Sequence, residues 1–151
     1  MIDSLDAKLL AEVQRRADIT AAELSEVLNL SPSQAARRRA RLEAEGVITG
    51  YGARLDPGKL GLSVQAFVQV QMSAHKPDTA RGFASLIATI PEVVSAFTLT
   101  GEADYLLRVW CADLAALNVL IHQRLLPHPA VARVQSQIVM DQLKPDAGLP
   151  V

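Results

Sequence analysis

Residues 20–50, with the sequence TAAELSEVLNLSPSQAARRRARLEAEGVITG, contain two helix starts separated by a short turn. Thr20 with Glu23, and Ser31 with Gln34, each match a capping box, in which both side chains accept hydrogen bonds from free amides at a helix N-terminus. The stretch therefore predicts two consecutive helices, one beginning after Thr20 and the other after Ser31.

The junction and the end of this helix pair are also marked in the sequence. Only Asn29 and Leu30 lie between the two helices, so the helices must cross sharply. Pro32 stands at a first helical position, where its missing N–H has no consequence. Gly46 supplies the left-handed residue that ends the second helix. A short helix, a turn and a basic helix are typical of a helix-turn-helix, which places its second helix in the DNA major groove.

The second helix carries four arginines within five residues, 37–41. They spread around more than half of the helix circumference, so they cannot all face a core. Guanidinium groups match both phosphate oxygens and the guanine edge, and recognition helices enter the groove by their N-terminal end. The residues predicted to contact DNA are Ser33, Gln34, Arg37, Arg38 and Arg41. Charge alone also allows a solvated face in which the arginines pair with Glu43 and Glu45.

Composition limits the class of protein. Half of the 151 residues are hydrophobic, and 15 Lys and Arg stand against 16 Asp and Glu, so the net charge is −1. This balance argues against a protein that coats nucleic acid by bulk charge, and it favours clustered contacts in a dimer. The lone Cys111 suits a reducing compartment, and no apolar run reaches the length of a membrane span. We expect a cytoplasmic protein.

The N-terminal region completes a small DNA-binding module. Leu5, Leu9 and Val13 recur every four residues and predict an amphipathic first helix. Residues 47–51, VITGY, begin with three β-branched residues and predict a short strand or wing. We therefore expect a winged helix-turn-helix over residues 1–50, followed by a linker over residues 51–63 that is rich in Gly and Pro.

Residues 64–151 have a different periodicity and predict a second domain. Alternating and helical patterns follow one another as strand (64–72), helix (79–90), strand (93–100), strand (104–111), helix (113–126) and strand (131–140). This order predicts a ferredoxin-like βαββαβ sandwich with both helices on one face of the sheet, which makes the whole chain α+β. The other face would be bare, so a homodimer that packs sheet against sheet is expected.

Three segments resemble the Lrp/AsnC (leucine-responsive, or feast/famine) transcriptional regulators: LDAKLL (5–10), SPSQAARRRARLEAEGVITGY (31–51) and GEADYLL (101–107). The resemblance covers nearly the full chain. It implies a regulator of transcription that dimerises through the second domain and assembles into tetramers or octamers. It also implies an effector, usually an amino acid, in a cleft between dimers near residues 101–104. No cofactor besides this effector and no metal are expected.

Carried over position by position, the resemblance implies effector contacts at Thr100, Gly101, Asp104, Ser136 and, from the neighbouring dimer, His75. Gly101 lets backbone approach a ligand closely, and Asp104 either accepts hydrogen bonds from a ligand ammonium or stabilises the turn. Two residues depart from the family pattern. Ala103 replaces a bulkier residue, which changes the pocket shape. Arg39 replaces an apolar core residue and is expected to place its methylenes on apolar surface and its head in water or on phosphate.

Two other functions stay open. One is an enzyme related to this family, a haem-pathway (sirohaem) decarboxylase that acts on a tetrapyrrole, which would require His and Arg in the cleft of the second domain. The other is a DNA-architectural protein without an effector. The sequence shows no catalytic triad and no glycine-rich phosphate loop, so we expect a sequence-specific regulator and not an enzyme.

Overall fold

The computed structural model describes all residues, 1–151, as two compact units. The N-terminal unit contains Met1–Arg54 together with Leu143–Val151, and the C-terminal unit contains Leu55–Gln142. The sequence placed the last residues in the second domain, whereas the structure places them in the N-terminal unit. They are held there by Gln14, whose side-chain oxygen accepts from the Leu149 amide at 2.5 Å and whose amide nitrogen donates to the Leu149 carbonyl at 3.0 Å.

The N-terminal unit is built from three helices: α1 (Ser4–Arg15), α2 (Ala21–Leu28) and α3 (Pro32–Ala44). Both predicted capping boxes are present at α2 and α3, and Asp3 forms a third one with the residue three positions on. Each box satisfies amides that the first helical turn leaves free, so each helix begins at the residue that the sequence specifies.

The turn and the end of the helix pair also match the prediction. Asn29 has φ 52° and Gly46 has φ 71°, both in the left-handed region. Of the short strand or wing predicted at 47–51, the strand is not formed. The amides of Val47 and Ile48 both donate to the carbonyl of Leu42 at 2.9 and 3.1 Å, so they close the end of α3 instead of joining a β-ladder.

One apolar cluster holds the three helices together. Its buried members come from every helix and from the α1–α2 connection: Leu9, Leu10, Val13, Ile19, Leu24, Leu28, Ala35 and Leu42. Leu9, Leu24 and Leu42 are at most 1% exposed. Burial of this kind stabilises the unit by about 2 kcal/mol per large side chain, so the crossing of α2 and α3 is determined by packing.

The C-terminal unit confirms the predicted order of elements: β1 (Val64–Met72), α4 (Pro77–Ala88), β2 (Val93–Thr98), β3 (Tyr105–Cys111), α5 (Leu114–Val119) and β4 (Val131–Ile138). The four strands form one sheet in the order β2-β3-β1-β4, and all three neighbouring pairs are antiparallel. A 3₁₀ turn at Gly58–Leu60 precedes β1.

The two faces of this sheet differ. Alternate residues of β1 and β3 are buried, and they share one core with the buried residues of α4 and of the segment 117–125. Both helices therefore cover the same face. On the opposite face Trp110 lies across from Gln65, and Phe97 from Leu106, and Phe97 is 52% exposed. This uncovered face carries aromatic side chains.

The last helix packs one side against the core of the sheet. Leu117, Leu120 and Leu125 are buried and Ile121 packs against them, whereas Leu114, the first residue of α5, is exposed. After Val119 the helix continues as a π-helical segment over Leu120–Leu125, in which the amide of Leu126 donates to the carbonyl of Ile121 at 2.9 Å. A wider turn shifts the side chains around the helix axis relative to an α-helix.

Candidate DNA interface and effector site

The N-terminal end of α3 presents two polar side chains that the sequence assigned to DNA. Ser33 and Gln34 are both exposed. The Gln34 oxygen accepts from the Ser31 amide at 3.0 Å, and the amide of Gln34 donates to the Ser31 hydroxyl at 3.2 Å. The capping box therefore occupies the side-chain oxygen of Gln34 and leaves the side-chain nitrogen, Nε2, as a free donor.

The three arginines of α3 that were predicted to contact DNA divide into two kinds. Arg37 is exposed and forms no ion pair. Arg38 and Arg41 turn toward α1 and bind carboxylates there: Arg38 Nη1 lies 2.7 Å from both Asp3 Oδ2 and Asp6 Oδ1, and Arg41 Nη2 lies 2.6 Å from Asp6 Oδ2. Of the three, only Arg37 is without a partner.

Asp6 is the residue that sequence reasoning missed. Its side chain is 1% exposed, although it is a carboxylate. Burial would raise the pKa of Asp6, but hydrogen bonds from Arg41, from the Asp3 amide and from Arg38 outweigh burial and lower the pKa to about 2. Asp6 is therefore ionised at neutral pH. The sequence feature that could have identified Asp6 is its position in LDAKLL. It lies three and four residues before the buried Leu9 and Leu10, and therefore on the apolar side of α1.

Asp3 joins the same cluster from the start of α1. The amide of Asp6 and the guanidinium of Arg38 both donate to its carboxylate, and they lower its pKa in that order of importance. A cleft of about 400 Å³ opens beside it, lined by Asp3, Arg37, Arg38 and Arg41. Three cationic groups and one carboxylate line this cleft, which we call the arginine cleft.

Arg39 makes all its contacts within the N-terminal unit. Its Nη1 and Nη2 donate to the carbonyls of Ile19 and Ala17 at 2.8 and 3.1 Å, and its guanidinium lies 4.7 Å from the ring centre of Tyr51. Its Nε donates to the Tyr51 hydroxyl at 2.9 Å and to Glu43 at 3.2 Å. The expectation that its head lies in water or on phosphate is wrong, because the carbonyls of the α1–α2 connection bind it.

In the C-terminal unit, Asp104 attaches the β2–β3 turn to the end of β1. Its Oδ2 accepts from the Met72 amide at 2.7 Å, and its Oδ1 lies 2.8 Å from His75 Nε2. The hydrogen bond from Met72, followed by the one from His75, lowers the pKa of Asp104. The structure thus brings His75 and Asp104 of one chain together, and Asp104 stabilises the turn.

The other residues of the predicted effector site are exposed. Thr100 and Gly101 lie in the same turn, and Gly101 has φ 108°, a conformation that favours glycine. Ser136 lies opposite Val68 on β1, four residues from Met72. That distance is about 13 Å along a strand, so Ser136 does not share a cavity with Asp104 within one chain.

A small cleft lies between the β2–β3 turn and the uncovered sheet face. Its volume is about 120 Å³, and it is lined by Gln69, Gln71, Glu102, Ala103, Arg133 and Gln135. We call it the strand-end cleft. It combines one cationic and one anionic side chain with three amides. The sequence feature that could have indicated this cleft is the alternation of polar residues in β1 and β4. Gln69, Gln71, Arg133 and Gln135 occupy the alternate positions that point away from the core.

Two other features bear on the class of protein. No helix is both long and apolar enough to cross a membrane. No three His, Cys, Asp or Glu side chains are grouped as metal ligands.

Comparisons with known proteins agree with this architecture. Residues 2–49 match the family model for winged helix-turn-helix DNA-binding domains, and residues 65–149 match the one for Lrp/AsnC ligand binding domains. The chain is 33% identical to the DNA-binding transcriptional activator DecR of Escherichia coli K12, over 100% of this chain and 99% of that protein. It is 34% identical to the leucine-responsive regulatory protein of Haemophilus influenzae, over 95% of this chain and 86% of that one.

A solved structure shares the whole fold. The complex of a Neisseria meningitidis transcriptional regulator with L-methionine is 38% identical and has a TM-score of 0.96, with 99% of this chain and 97% of that one covered. Family matches to both units and full-length relatives that regulate transcription lead to one conclusion. The chain belongs to the Lrp/AsnC family of DNA-binding transcriptional regulators.

Proposed function

We propose that α3 reads operator DNA from the major groove. The observation that carries this proposal is the exposed surface of α3, where Ser33, Gln34 and Arg37 lie on the helix end that enters the groove in helix-turn-helix proteins. Ser33 and the free amide nitrogen of Gln34 suit base edges. Arg37 suits a phosphate or a guanine, since it has no partner in the protein.

The second part of the proposal is a dimer formed through the uncovered sheet face. Phe97, Trp110, Leu106 and Phe67 lie on that face, and none of them is covered by a helix. Burial of aromatic side chains against a second copy is the favourable way to remove them from water. Dimers would then assemble into tetramers or octamers. Phe97→Asp should dissociate the dimer, as measured by light scattering after gel filtration.

The third part is an amino-acid effector at the strand-end cleft and the β2–β3 turn. Arg133 can bind a carboxylate and Glu102 an ammonium, so the cleft matches both charges of an amino acid. Thr100 and Gly101 border the same turn, and Asp104 and His75 hold it in place. Ser136 requires a neighbouring chain for its predicted role.

The effector proposal is tested by a thermal-shift screen of the twenty amino acids. The Neisseria relative was solved with L-methionine, so methionine is the first candidate. A ligand that binds only the folded protein raises the melting temperature. Arg133→Gln should abolish the shift, while Arg124→Gln, on the last helix, should retain it. No shift with any amino acid would contradict the proposal.

DNA binding is tested by fluorescence anisotropy on two duplexes of equal length, one from upstream of the protein's own gene and one of mixed sequence. We expect tighter binding to the upstream duplex. Arg37→Ala should weaken binding to both and reduce the salt slope by about 1, because one phosphate contact is lost. Equal affinity for both duplexes would favour an architectural protein.

No catalytic step is part of this proposal. A decarboxylase would bind its tetrapyrrole, so a change in the visible spectrum when a tetrapyrrole is added would contradict it. A cytoplasmic location, where the protein reaches DNA, also stays a prediction.

A further inference from the structure

One buried carboxylate joins two arginines of the recognition helix. Asp6 Oδ1 accepts from Arg38, and Oδ2 accepts from Arg41, at 2.7 and 2.6 Å. The carboxylate is 1% exposed, whereas the side chains of Arg38 and Arg41 are 26% and 39% exposed. Asp6 therefore binds one nitrogen of each guanidinium at a buried position, while both arginine side chains remain partly exposed at the surface.

Both guanidiniums keep donors for another ligand. A guanidinium has five N–H groups, and Arg38 uses only those on Nη1, for Asp3 and Asp6. Arg41 uses Nη2 for Asp6, and its Nη1 is 3.9 Å from Glu45. The Nε and Nη2 groups of Arg38 have no partner in the protein.

These donors belong to side chains that line the arginine cleft, together with Arg37. The side chains that line the cleft carry three positive charges, on Arg37, Arg38 and Arg41, and one negative charge, on Asp3, so the lining is cationic. The carboxylates of Asp6 and Glu45 lie on the far side of these guanidiniums and offset part of their charge. Guanidinium donors match the geometry of phosphate oxygens. The ligand that suits this cleft is a phosphodiester group.

We infer that the arginine cleft binds one phosphate of the DNA backbone and that Asp6 is the positioning residue that orients Arg38 and Arg41 for it. This inference rests on the proposed role of α3 in reading DNA. A free arginine loses rotamer entropy when it binds phosphate, which weakens the contact. Asp6 orders both side chains during folding, so less entropy is lost when DNA binds.

The inference predicts the opposite sign to simple electrostatics. Asp6→Asn removes a negative charge, which by itself would strengthen binding to DNA. If Asp6 positions the arginines, the same change frees them and weakens binding. We expect an affinity loss of about tenfold, from the cost of ordering two side chains again.

The test compares Asp6→Asn with Glu26→Gln by fluorescence anisotropy. Glu26 is exposed on α2 and forms no ion pair, so Glu26→Gln makes the same charge change without releasing an arginine. We expect Glu26→Gln to bind equally or slightly tighter, and Asp6→Asn to bind more weakly with a smaller salt slope. Asp6→Asn binding as tightly as Glu26→Gln would overturn the inference.

A second variant keeps the test informative if Asp6→Asn does not fold. This second variant is the double substitution Arg38→Lys, Arg41→Lys, which keeps both positive charges beside Asp6. A lysine ammonium lacks the planar fork of donors with which a guanidinium can bind Asp6 and a phosphate at the same time. We expect about tenfold weaker binding than wild type. Unchanged affinity in this folded variant would overturn the inference.

The two duplexes separate this inference from the proposed function. A phosphate contact carries no sequence information, so both variants should weaken binding to the upstream and the mixed duplex by the same factor. Loss on the upstream duplex alone would place Arg38 and Arg41 on bases and overturn the phosphate site. Equal wild-type affinity for the two duplexes would instead count against the regulator proposal.

Discussion

Asp6 and Asp104 are both carboxylates with lowered pKa values, one in each unit, and their surroundings differ. Asp6 is buried and paired with two arginines, which stay charged at every pH in which the protein is folded. Asp104 is 22% exposed and paired with one backbone amide and with His75, whose side chain is 72% exposed. The Asp6 contacts are therefore insensitive to pH near neutrality, while the contact of Asp104 with His75 involves a side chain that is largely exposed to solvent.

The difference matters for what each region does. A helix that reads DNA requires side chains held in one arrangement, and two guanidiniums around a buried carboxylate provide that. The β2–β3 turn borders the cleft that we propose for the effector, where it would have to respond to a ligand. A partly exposed carboxylate with an exposed histidine is held less strongly, which suits that role.

The largest expected effect is from Asp6→Ala. It removes the partner of two half-buried guanidiniums and leaves a small cavity, which should lower the free energy of unfolding by about 2 kcal/mol. Hydrogen exchange of α1 and α3 amides reports this unit specifically. The control is Asp18→Ala, since Asp18 is exposed and has only a long contact with Arg16. Equal protection in both variants would remove Asp6 from the stabilising contacts.

The contacts of Asp6 should also make the free energy of unfolding depend on pH under acidic conditions. The pKa of Asp6 is about 2 in the folded protein against an ordinary 3.8, so its contribution is fully present above pH 4 and is lost as the pH falls toward 2. The corresponding loss is about 2 kcal/mol. Urea unfolding between pH 5 and pH 3 should show a smaller pH dependence in Asp6→Asn than in wild type. An identical pH dependence would contradict the assignment.

A smaller effect is expected from Asp104→Ala. It leaves the Met72 amide without its acceptor and detaches the β2–β3 turn, which should cost about 1 kcal/mol. Trp110 is the only tryptophan and lies on β3, so its fluorescence reports unfolding of the C-terminal unit. Asp141→Ala, at an exposed position after β4, is the control. A loss as large as that of Asp6→Ala would erase the difference between the two units.

The smallest effect is expected from His75→Ala. A contact made by a side chain that is 72% exposed contributes between about 0 and 1 kcal/mol, so urea unfolding followed by Trp110 should change little. The thermal shift given by the effector should decrease instead, if the histidine orders the turn for ligand binding. A destabilisation above that of Asp104→Ala would show that His75 belongs to the core contacts of the turn.

Local sequence signals predicted most of the fold. Capping residues and Gly46 specified where α2 and α3 begin and end, because each satisfies backbone groups within a few positions of itself. Alternation and helical periodicity predicted the six elements of the C-terminal unit, because burial on one face imposes them.

The candidate sites were predicted less completely. Arg37 is exposed, and Asp104 stabilises the turn, which was one of the two roles expected of it. Their contacts with DNA and with an effector stay predictions, whereas Arg39 binds carbonyls instead of water. The pairing of arginines with Glu43 and Glu45 was anticipated as an alternative and is present for Arg39 and Arg41. The contacts of Arg38 and Arg41 with Asp3 and Asp6 were missed, because these carboxylates lie more than thirty positions away along the chain. The strand-end cleft joins side chains of β1, β4 and the β2–β3 turn, which only the sheet brings together.

The amino-acid sequence by itself determined the helix-turn-helix, the order of strands and helices and the charged surface of α3, since these depend on contacts between near neighbours. Only the tertiary structure decided which arginines are free, which carboxylate is buried between them, and that residues 143–151 lie on the N-terminal unit. These features arise from long-range packing, which places groups beside each other that no local pattern relates.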